Sequence, residues 1–259
     1  MATERPLVLP GDVIPPSLIP TSANPNKKQQ PLRLGPGLRH IPPSDIVPTV
    51  AGQLITVPHK NSMWVEYNSS RYTPTPSDLV IATISRSGPD FYYASLSPYT
   101  ANATLPHLSF EGATKKTRPQ LPPGSLVYAR VTLANKHMDP EIECVSSATG
   151  KADGLGPLKD GMVFDISLGF ARRLLMARSK EEGKVEVLEL LGEEGLAFET
   201  AVGRNGKVWV SGASDAKGNE GVNAKTVVVV GRALQETDTK RLGVEQQRKL
   251  VKKLVREMR

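Results

Sequence analysis

Short apolar runs separated by turn-forming residues fill the chain between residues 66 and 152. The stretch DLVIATISRSGPDFYYASL predicts two strands joined by a turn at residues 87–90, and ATLPHLSF predicts a third. The stretch GSLVYARVTLANKHMDPEIECVS predicts two more strands, linked through residues 135–140. Five short strands in meander order are typical of a small closed barrel. The pattern alone fits a five-stranded OB-fold and an SH3-like or other small β-barrel equally well.

Residues 1–65 carry a similar but more interrupted pattern. The stretches LRLGPGLRHI, TVAGQLITV and SMWVEY predict short strands broken by glycine and proline. Twelve of the 22 prolines lie in the first 60 residues, which disfavours helices there because proline lacks a backbone donor. The tract PTSANPNKKQQP has no apolar period and predicts a mobile loop over residues 21–31. The sequence therefore predicts a small N-terminal β domain.

The periodicity changes over residues 153–259, after the glycine-rich stretch TGKADGLGPLKDG. GMVFDISL predicts a strand, and GFARRLLMARS predicts a helix whose apolar stripe runs from Phe170 to Arg178. KVEVLELLG fits a strand and a helix equally. LAFETAVGRNGKVWVSG alternates on either side of Asn205-Gly206, which predicts a hairpin with a two-residue turn.

Two helices are predicted at the C-terminal end. In VNAKTVVVVGRALQETD four consecutive valines favour a strand, whereas the residues from Val222 to Ala233 place a stripe on one helical face. Because the stretch is long for a strand, we predict a helix. The tail EQQRKLVKKLVREMR sets an apolar stripe against lysine and arginine, which predicts a basic amphipathic helix. Residues 153–259 are thus predicted to form an α+β domain.

Composition narrows the possible functions. A chain of 259 residues favours two or three modules, and its net charge of +7 favours a polyanionic partner. Cys144 is the single cysteine, which excludes an internal disulfide or a cysteine-based zinc site and indicates a reducing compartment. The four histidines show no ligand spacing. The N-terminus lacks a secretory signal, and no apolar run approaches the roughly 20 residues that span a bilayer. We expect an intracellular protein without metal, cofactor or membrane partner.

One short motif carries a choice between two interpretations. Gly203-Arg204-Asn205-Gly206 matches the G-x-x-G loop with which KH domains grip a nucleic-acid backbone. In that clamp the loop joins two helices, whereas here the flanking residues predict strands. A hairpin turn is therefore the favoured interpretation, with the phosphate clamp as the alternative.

The sequence contains one cluster of cations that suits RNA binding, but no motif of a known catalytic site. Three cations, Lys115, Lys116 and Arg118, lie within four residues in a predicted barrel loop, where they are placed to neutralise phosphates. The basic residues of the C-terminal tail could also contact RNA, but they are more simply explained as the solvent-exposed face of a helix that packs on the domain. The chain has no catalytic triad, metalloprotease motif, phosphate-binding P-loop or paired aspartates. We predict no catalytic residues.

Several motifs together resemble the cap subunits of the RNA exosome: VLPGD, LRLGPGL, NSSRYTPTPSDLVI, LSFEGATKKTRP, GSLVYARVTLANKHMDPEIEC and AVGRNGKVWV. The resemblance spans nearly the whole chain. It implies an N-terminal β domain over 1–65, an OB-fold over 66–152 and a KH-like domain over 153–259. It also implies a non-catalytic subunit that stabilises a ring of other subunits and guides single-stranded RNA to a separate 3′→5′ exonuclease. Nuclear, nucleolar and cytoplasmic localisation is expected.

The resemblance also implies roles for individual residues. Four residues are expected to fix the geometry between two domains: Gly203, Asn205, Gly206 and Trp209. Five are candidates for RNA contact, the first three the strongest: Lys115, Lys116, Arg118, Arg71 and Tyr72. The expected partners are the other ring and cap subunits and single-stranded RNA. A free-standing, sequence-selective RNA-binding regulator is the alternative function.

Overall fold

The computed structural model describes residues 6–20, 31–58, 61–67, 71–135, 137–146, 149–176, 185–212 and 224–258. Residues 21–30 of the predicted mobile loop, together with Arg178 and Val222, lie outside the described residues. The chain divides into two compact units, residues 1–69 and residues 70–259. Each unit has its own hydrophobic core.

The first unit is a small β domain. Its strands are β1 (Leu7–Val8), β2 (Arg33–Leu34), β3 (Leu38–Ile41), β4 (Asp45–Pro48), β5 (Gly52–Val57) and β6 (Ser62–Glu66). Four of them form a sheet in the order β1-β5-β6-β2, and β3 pairs with β4. Val8, Ile14, Leu54, Met63 and Val65 contribute to its core. The three predicted stretches contain β2, β3, β5 and β6, whereas β1 and β4 were not predicted.

The second unit begins with a closed barrel. Its strands are β7 (Leu79–Ser87), β8 (Phe91–Ser95), β9 (Ala103–Pro106), β10 (Leu126–Asn135) and β11 (Met138–Glu143). β7, β8 and β9 pair consecutively, β10 returns to pair with β7, and β11 closes the barrel between β10 and β9. The last pairing is parallel, at Glu141 and Thr104. This is the Greek-key order of the OB-fold, so the expected meander order is wrong although the barrel is confirmed.

The barrel core follows from alternation along each strand. Inward residues such as Val80, Ala82 and Ile84 of β7 are buried, and they pack with the equivalent residues of the other strands. The predicted link over residues 135–140 is too long. Asn135 pairs with Met138, so the reversal is tight and β11 includes Pro140.

Cys144 lies in this core and is expected to be chemically inert in the folded chain. Burial, together with the neighbouring Glu143 carboxylate, raises the pKa of its thiol to about 12. A raised pKa keeps the thiol protonated at pH 8, and only the thiolate is nucleophilic. We expect iodoacetamide at pH 8 to leave Cys144 unmodified in the native chain and to modify it fully in denaturant. Rapid modification of chain with a native circular-dichroism spectrum would contradict this prediction.

The remaining elements are one more strand of the barrel sheet, which comes first, and those of an α+β domain. They are β12 (Gly156–Leu158), β13 (Met162–Asp165), α1 (Leu168–Leu175), α2 (Val187–Glu193), β14 (Phe198–Gly203), β15 (Lys207–Gly212), α3 (Ala224–Lys240) and α4 (Val244–Met258). The sheet order is β13-β15-β14, and its core is shared with all four helices. The helix predicted at the valine-rich stretch is confirmed as α3, and the undecided stretch KVEVLELLG contains α2.

The predicted domain boundaries at residues 65 and 152 stay predictions. β12 lies beyond the second of them, yet it pairs with β10 of the barrel. Among the described residues, no helix has the length and apolar character needed to cross a membrane. No group of three or more histidine, cysteine, aspartate or glutamate side chains within the described ranges is arranged to hold a metal ion.

Candidate nucleic-acid interface and interdomain loop

The G-x-x-G sequence forms the loop of the β14–β15 hairpin. Gly203 and Lys207 are the last paired residues, so the loop has three residues rather than the predicted two. The Gly206 amide donates to the Gly203 carbonyl over 3.1 Å, and Gly206 has a φ of +77°. Three-residue hairpin loops close in this way, with a left-handed glycine in the last position. The loop therefore joins two strands, as the flanking alternation predicts.

Asn205 inserts its amide group into the edge of barrel strand β7. Its side-chain oxygen accepts from the Ile81 amide (3.2 Å), and its Nδ2 donates to the carbonyls of Ile81 (2.8 Å) and Leu96 (2.7 Å). The pairing of β7 with β8 begins at Thr83 and Ser95, so Ile81 lies beyond the end of that ladder. Buried backbone polar groups need hydrogen-bond partners. The Asn205 side chain satisfies them as a further strand would.

Arg204 ties the same loop to a buried carboxylate at the start of β7. Its amide donates to the Leu79 carbonyl (2.7 Å), and its guanidinium lies 2.9 Å from Asp78 Oδ1. The other Asp78 oxygen accepts from the hydroxyls of Tyr72 (2.9 Å) and Thr75 (2.6 Å). Asp78 is only 3% exposed, and this set of partners stabilises its charge.

The hydrogen bonds of Asp78 also change the interpretation of Tyr72, which the sequence analysis places among the candidates for RNA contact. Its side chain is 5% exposed. Burial, reinforced by the Asp78 carboxylate, raises the pKa of Tyr72 well above its usual value, so the hydroxyl remains a donor. A base cannot stack on a ring that is covered by protein. Tyr72 therefore positions Asp78, while the neighbouring Arg71 side chain is exposed.

The two glycines of the motif lie close to neighbouring backbone, Gly203 at barrel strand β7 and Gly206 at the segment between β13 and α1. A Cβ atom on Gly203 would lie 2.3 Å from Asn205 Oδ1 and 2.8 Å from the Ile81 amide nitrogen. A Cβ atom on Gly206 would lie 2.7 Å from the Ile166 carbonyl oxygen. Both distances to backbone are too short for any side chain. The glycines contact protein backbone, and Asn205 is 6% exposed, which contradicts the phosphate-clamp alternative.

Trp209 belongs to the surface through which the α+β sheet packs on the barrel. This apolar layer contains Ile81, Leu126, Tyr128 and Leu158 from the barrel side and Val163, Ala201 and Trp209 from the sheet. Tyr128 adds a hydrogen bond to the Val202 carbonyl (3.1 Å). The opposite face of the same sheet packs on the helices through residues such as Val208 and Val210. The sheet is therefore covered on both faces.

The three cations of the predicted barrel loop lie between β9 and β10. Lys115 and Lys116 are exposed, and Arg118 is half-buried. The turn that carries them is held by Thr114 and Thr117, whose hydroxyl oxygens are 2.8 Å apart. Among the described residues, no hydrogen bond or ion pair engages the side-chain ammonium group of Lys115 or Lys116, whereas Arg118 contacts His107. Two cations of this loop are thus directed to solvent.

A second exposed group on the barrel was missed from the sequence. Phe91 is 43% exposed at the start of β8, and the Arg86 guanidinium carbon lies 4.1 Å from the centroid of the Tyr93 ring. The outer face of the second and third OB strands is where such barrels bind oligonucleotides. The available signal was alternation in FYYAS: Tyr92 and Ala94 point inward, which leaves Phe91 and Tyr93 outside.

Comparisons with known proteins agree with this architecture along the chain. Residues 72–156 match the model of the S1 domain of exosome complex component RRP40. Residues 32–71 match the N-terminal domain of the exosome complex exonuclease Rrp40, and residues 161–216 match a KH domain. Exosome complex component rrp40 of Schizosaccharomyces pombe is 35% identical over 253 residues, which covers 96% of this chain and 94% of that protein. The chain belongs to the Rrp40 family.

Other members show the same range of similarity. RRP40 of Saccharomyces cerevisiae is 36% identical over 208 residues, covering 78% of this chain and 80% of the relative. RRP40 of Drosophila melanogaster is 36% identical over 216 residues, covering 83% and 85%. A crystal structure assigned as an exosome complex RNA-binding protein superposes with a TM-score of 0.52 at 20% identity, over 72% of this chain and 96% of that one. That likeness supports the fold.

Membership of the Rrp40 family confirms the resemblance to exosome cap subunits drawn from the sequence motifs. Among those subunits, the motifs are most similar to ribosomal RNA-processing protein 40, and this more specific resemblance is confirmed too. It also confirms the order of N-terminal β domain, OB-type barrel and KH-type domain. The roles predicted for individual residues stay predictions. The structure places Gly203 and Asn205 against barrel strand β7 and Gly206 against Ile166, in the segment between β13 and α1. It links Tyr72 to the same loop through Asp78.

Proposed function

We propose that this chain is a non-catalytic RNA-binding subunit of an exosome complex, which stabilises the assembly and guides single-stranded RNA towards a separate 3′→5′ exonuclease. One observation carries the proposal. The loop that a free KH domain would offer to phosphate is buried against the barrel through Asn205, while Lys115 and Lys116 of the barrel are exposed. The KH-type domain therefore acts as a support, and the barrel contacts RNA.

The names of the relatives support the assembly part of the proposal. Family members from two yeasts and Drosophila melanogaster are named exosome complex components. The chain spans 94% of the Schizosaccharomyces pombe relative, so it contains nearly all of that protein's length. The partners of this chain are then the ring and cap subunits of the exosome. We infer nuclear and nucleolar localisation, with a cytoplasmic fraction, from the same membership.

The absence of catalysis is part of the proposal. One family description uses the word exonuclease for Rrp40 as a member of its complex. The sequence of this chain presents no nuclease-type pair of aspartates and no catalytic triad. We assign RNA cleavage to another subunit, and expect no release of nucleotides from RNA by the purified chain.

Two features of the barrel surface support contact with single-stranded RNA. The loop with Lys115 and Lys116 supplies cations for phosphates, and Phe91 with Tyr93 supplies ring faces for bases. Proteins that bind single strands without sequence selectivity combine these two kinds of contact. Arg86, stacked on Tyr93, adds a cation at the aromatic group. This composition favours passage of many RNA sequences over selection of one.

Replacing Lys115, Lys116 and Arg118 together by alanine is expected to flatten the salt dependence of RNA binding. Each phosphate contact to a single strand contributes about 0.7 to the slope of log K against log salt concentration, so three contacts contribute about two units. The measurement is fluorescence anisotropy with a labelled oligoribonucleotide across a salt series, using the assembled complex.

The matched control replaces Lys249, Lys252 and Arg256 by alanine, because these three cations lie on the exposed face of α4. It removes the same charge from the chain without touching the barrel. An unchanged slope in the barrel variant, with a reduced slope in the control, would place the RNA path on the C-terminal helix instead.

A further inference from the structure

His107 lies directly behind the cationic loop and is not part of the predicted RNA interface. It follows β9, is 4% exposed, and packs its ring against the Tyr92 ring with centroids 4.2 Å apart. Its amide donates to the Asp90 carbonyl over 3.0 Å, which fixes its backbone beside the β7–β8 turn. His107 is therefore held through its ring by Tyr92 and through its backbone by Asp90, apart from any contact with the loop.

The same two rings hold the end of the cationic loop. The Arg118 guanidinium contacts Nδ1 of His107, and the Tyr92 hydroxyl donates to the carbonyl of Pro119 over 2.7 Å. Nδ1 must accept in this contact, because a guanidinium has donors only. The proton of a neutral ring then lies on Nε2, which is buried and has no hydrogen-bond partner among the described residues. The arrangement thus needs a neutral imidazole of one tautomer.

We propose that His107 is the positioning residue of the cationic loop: its neutral imidazole holds the Arg118 guanidinium in one orientation, which fixes how that cation meets the RNA phosphates. The inference rests on the proposed function, since it assigns a cause to the RNA-binding geometry of the loop. One guanidinium N–H is engaged by the ring, and within the described part of the chain the other N–H groups have no protein partner, so they can meet phosphate oxygens.

The charges around His107 agree with a neutral ring. Burial, and then the Arg118 charge, lower the pKa of His107 below its usual value, while Asp90 opposes them. A lowered pKa means that the ring is neutral at pH 7 and stays neutral as pH rises. It becomes protonated only in acid, where an imidazolium would repel Arg118 and would no longer accept its hydrogen bond.

The test compares salt slopes of RNA binding for the full chain in the assembled complex, with a labelled single-stranded oligoribonucleotide as probe. Arg118→Ala should lower the slope by about 0.7. His107→Phe keeps a ring against Tyr92 but removes the acceptor, and should lower the slope equally. His107→Asn restores an acceptor near Nδ1 and should retain the slope. The double change His107→Phe with Arg118→Ala should lose no more than Arg118→Ala alone.

The outcomes separate the inference from the proposed function. A reduced slope for Arg118→Ala with an unchanged slope for His107→Phe would overturn the positioning role. An unchanged slope for Arg118→Ala would instead remove this cation from the proposed RNA interface.

A second measurement needs no change at His107. The pKa of His107, followed by NMR of its ring nitrogens, should rise when Arg118 is replaced by alanine. A pKa that does not move would show that the two side chains do not interact in solution, and would overturn the inference even if His107→Phe failed to fold.

Discussion

Replacing Asn205 by aspartate should lower the free energy of unfolding by about 3–5 kcal/mol. The change is nearly isosteric, but it replaces the amide group that donates to the carbonyls of Ile81 and Leu96. A carboxylate has no donor, and it would face two carbonyl oxygens in a site that is 6% exposed. Each buried polar group left without its partner costs about 1–3 kcal/mol, and more when it is charged. Urea unfolding followed by circular dichroism measures the loss.

The effect should depend on pH in a definite direction. The folded state raises the pKa of the new carboxyl group above its value in the unfolded chain, because burial and two carbonyls oppose its charge. The penalty is therefore largest at neutral and alkaline pH, and falls as pH decreases through the raised pKa. Asn135→Asp is the matched control, since Asn135 is exposed and uses only its side-chain oxygen, which accepts from the His137 amide. Equal losses for the two variants would contradict the role of Asn205.

Replacing Gly206 by aspartate should lower the free energy of unfolding by about 2–5 kcal/mol. A left-handed φ costs a residue with a side chain about 1–2 kcal/mol. The new Cβ atom would also lie 2.7 Å from the Ile166 carbonyl oxygen and 3.1 Å from Leu168, and forced overpacking adds about 1–3 kcal/mol. Gly195→Asp is the control that measures the cost of the left-handed backbone alone. Gly195 has a φ of +86°, and a Cβ atom added to it would have no neighbour within 4 Å.

The Gly206 variant also discriminates between the two functions considered. For a cap subunit, the change should weaken the packing of the KH-type domain on the barrel and reduce incorporation into the exosome, measured by co-purification of the other subunits. For a free-standing regulator, the fraction of the variant that is still folded should lose RNA binding. Retained incorporation with lost RNA affinity would therefore count against the assembly function and for the regulator.

The strands of the barrel were predictable because their signals are local. The alternation in β7, β8 and β10 and the turn at residues 87–90 lie within each segment, so no distant information was needed. The closure was not predictable in this way. Whether β10 follows β9 or returns to β7 depends on pairing across the barrel, and both arrangements use the same alternation. The Greek-key order therefore became visible only in the folded chain.

In the interdomain loop too, the local turn was predictable from the sequence but its distant partner was not. Asn205-Gly206 predicts a turn from its sequence, because asparagine and glycine accept left-handed backbone. Its partner, Ile81, lies 124 residues away, and nothing in the local pattern marks it. One signal was present but unused. Val80, Ile81 and Ala82 are consecutive apolar residues, which is typical of a strand covered on both faces.

Tyr72 illustrates why a residue type is a weak guide to contact. Tyr72 follows Arg71 just before the barrel strands, and this pair of residue types is typical of a site where a nucleic-acid base stacks. Its hydroxyl is bound to Asp78, and this bond depends on a carboxylate six residues further along the chain. By contrast, Phe91 is exposed and Tyr93 is half-buried on the outer face, because their neighbours Tyr92 and Ala94 fill the interior.

The hydrogen bonds of Asn205 end on main-chain atoms of Ile81 and Leu96, so they are indifferent to which side chains those two positions carry. Any residues at positions 81 and 96 that keep the backbone in place and retain an N–H at position 81 preserve the two carbonyl acceptors and the amide donor. These hydrogen bonds can therefore persist through substitutions at positions 81 and 96, provided that Asn205 stays in place.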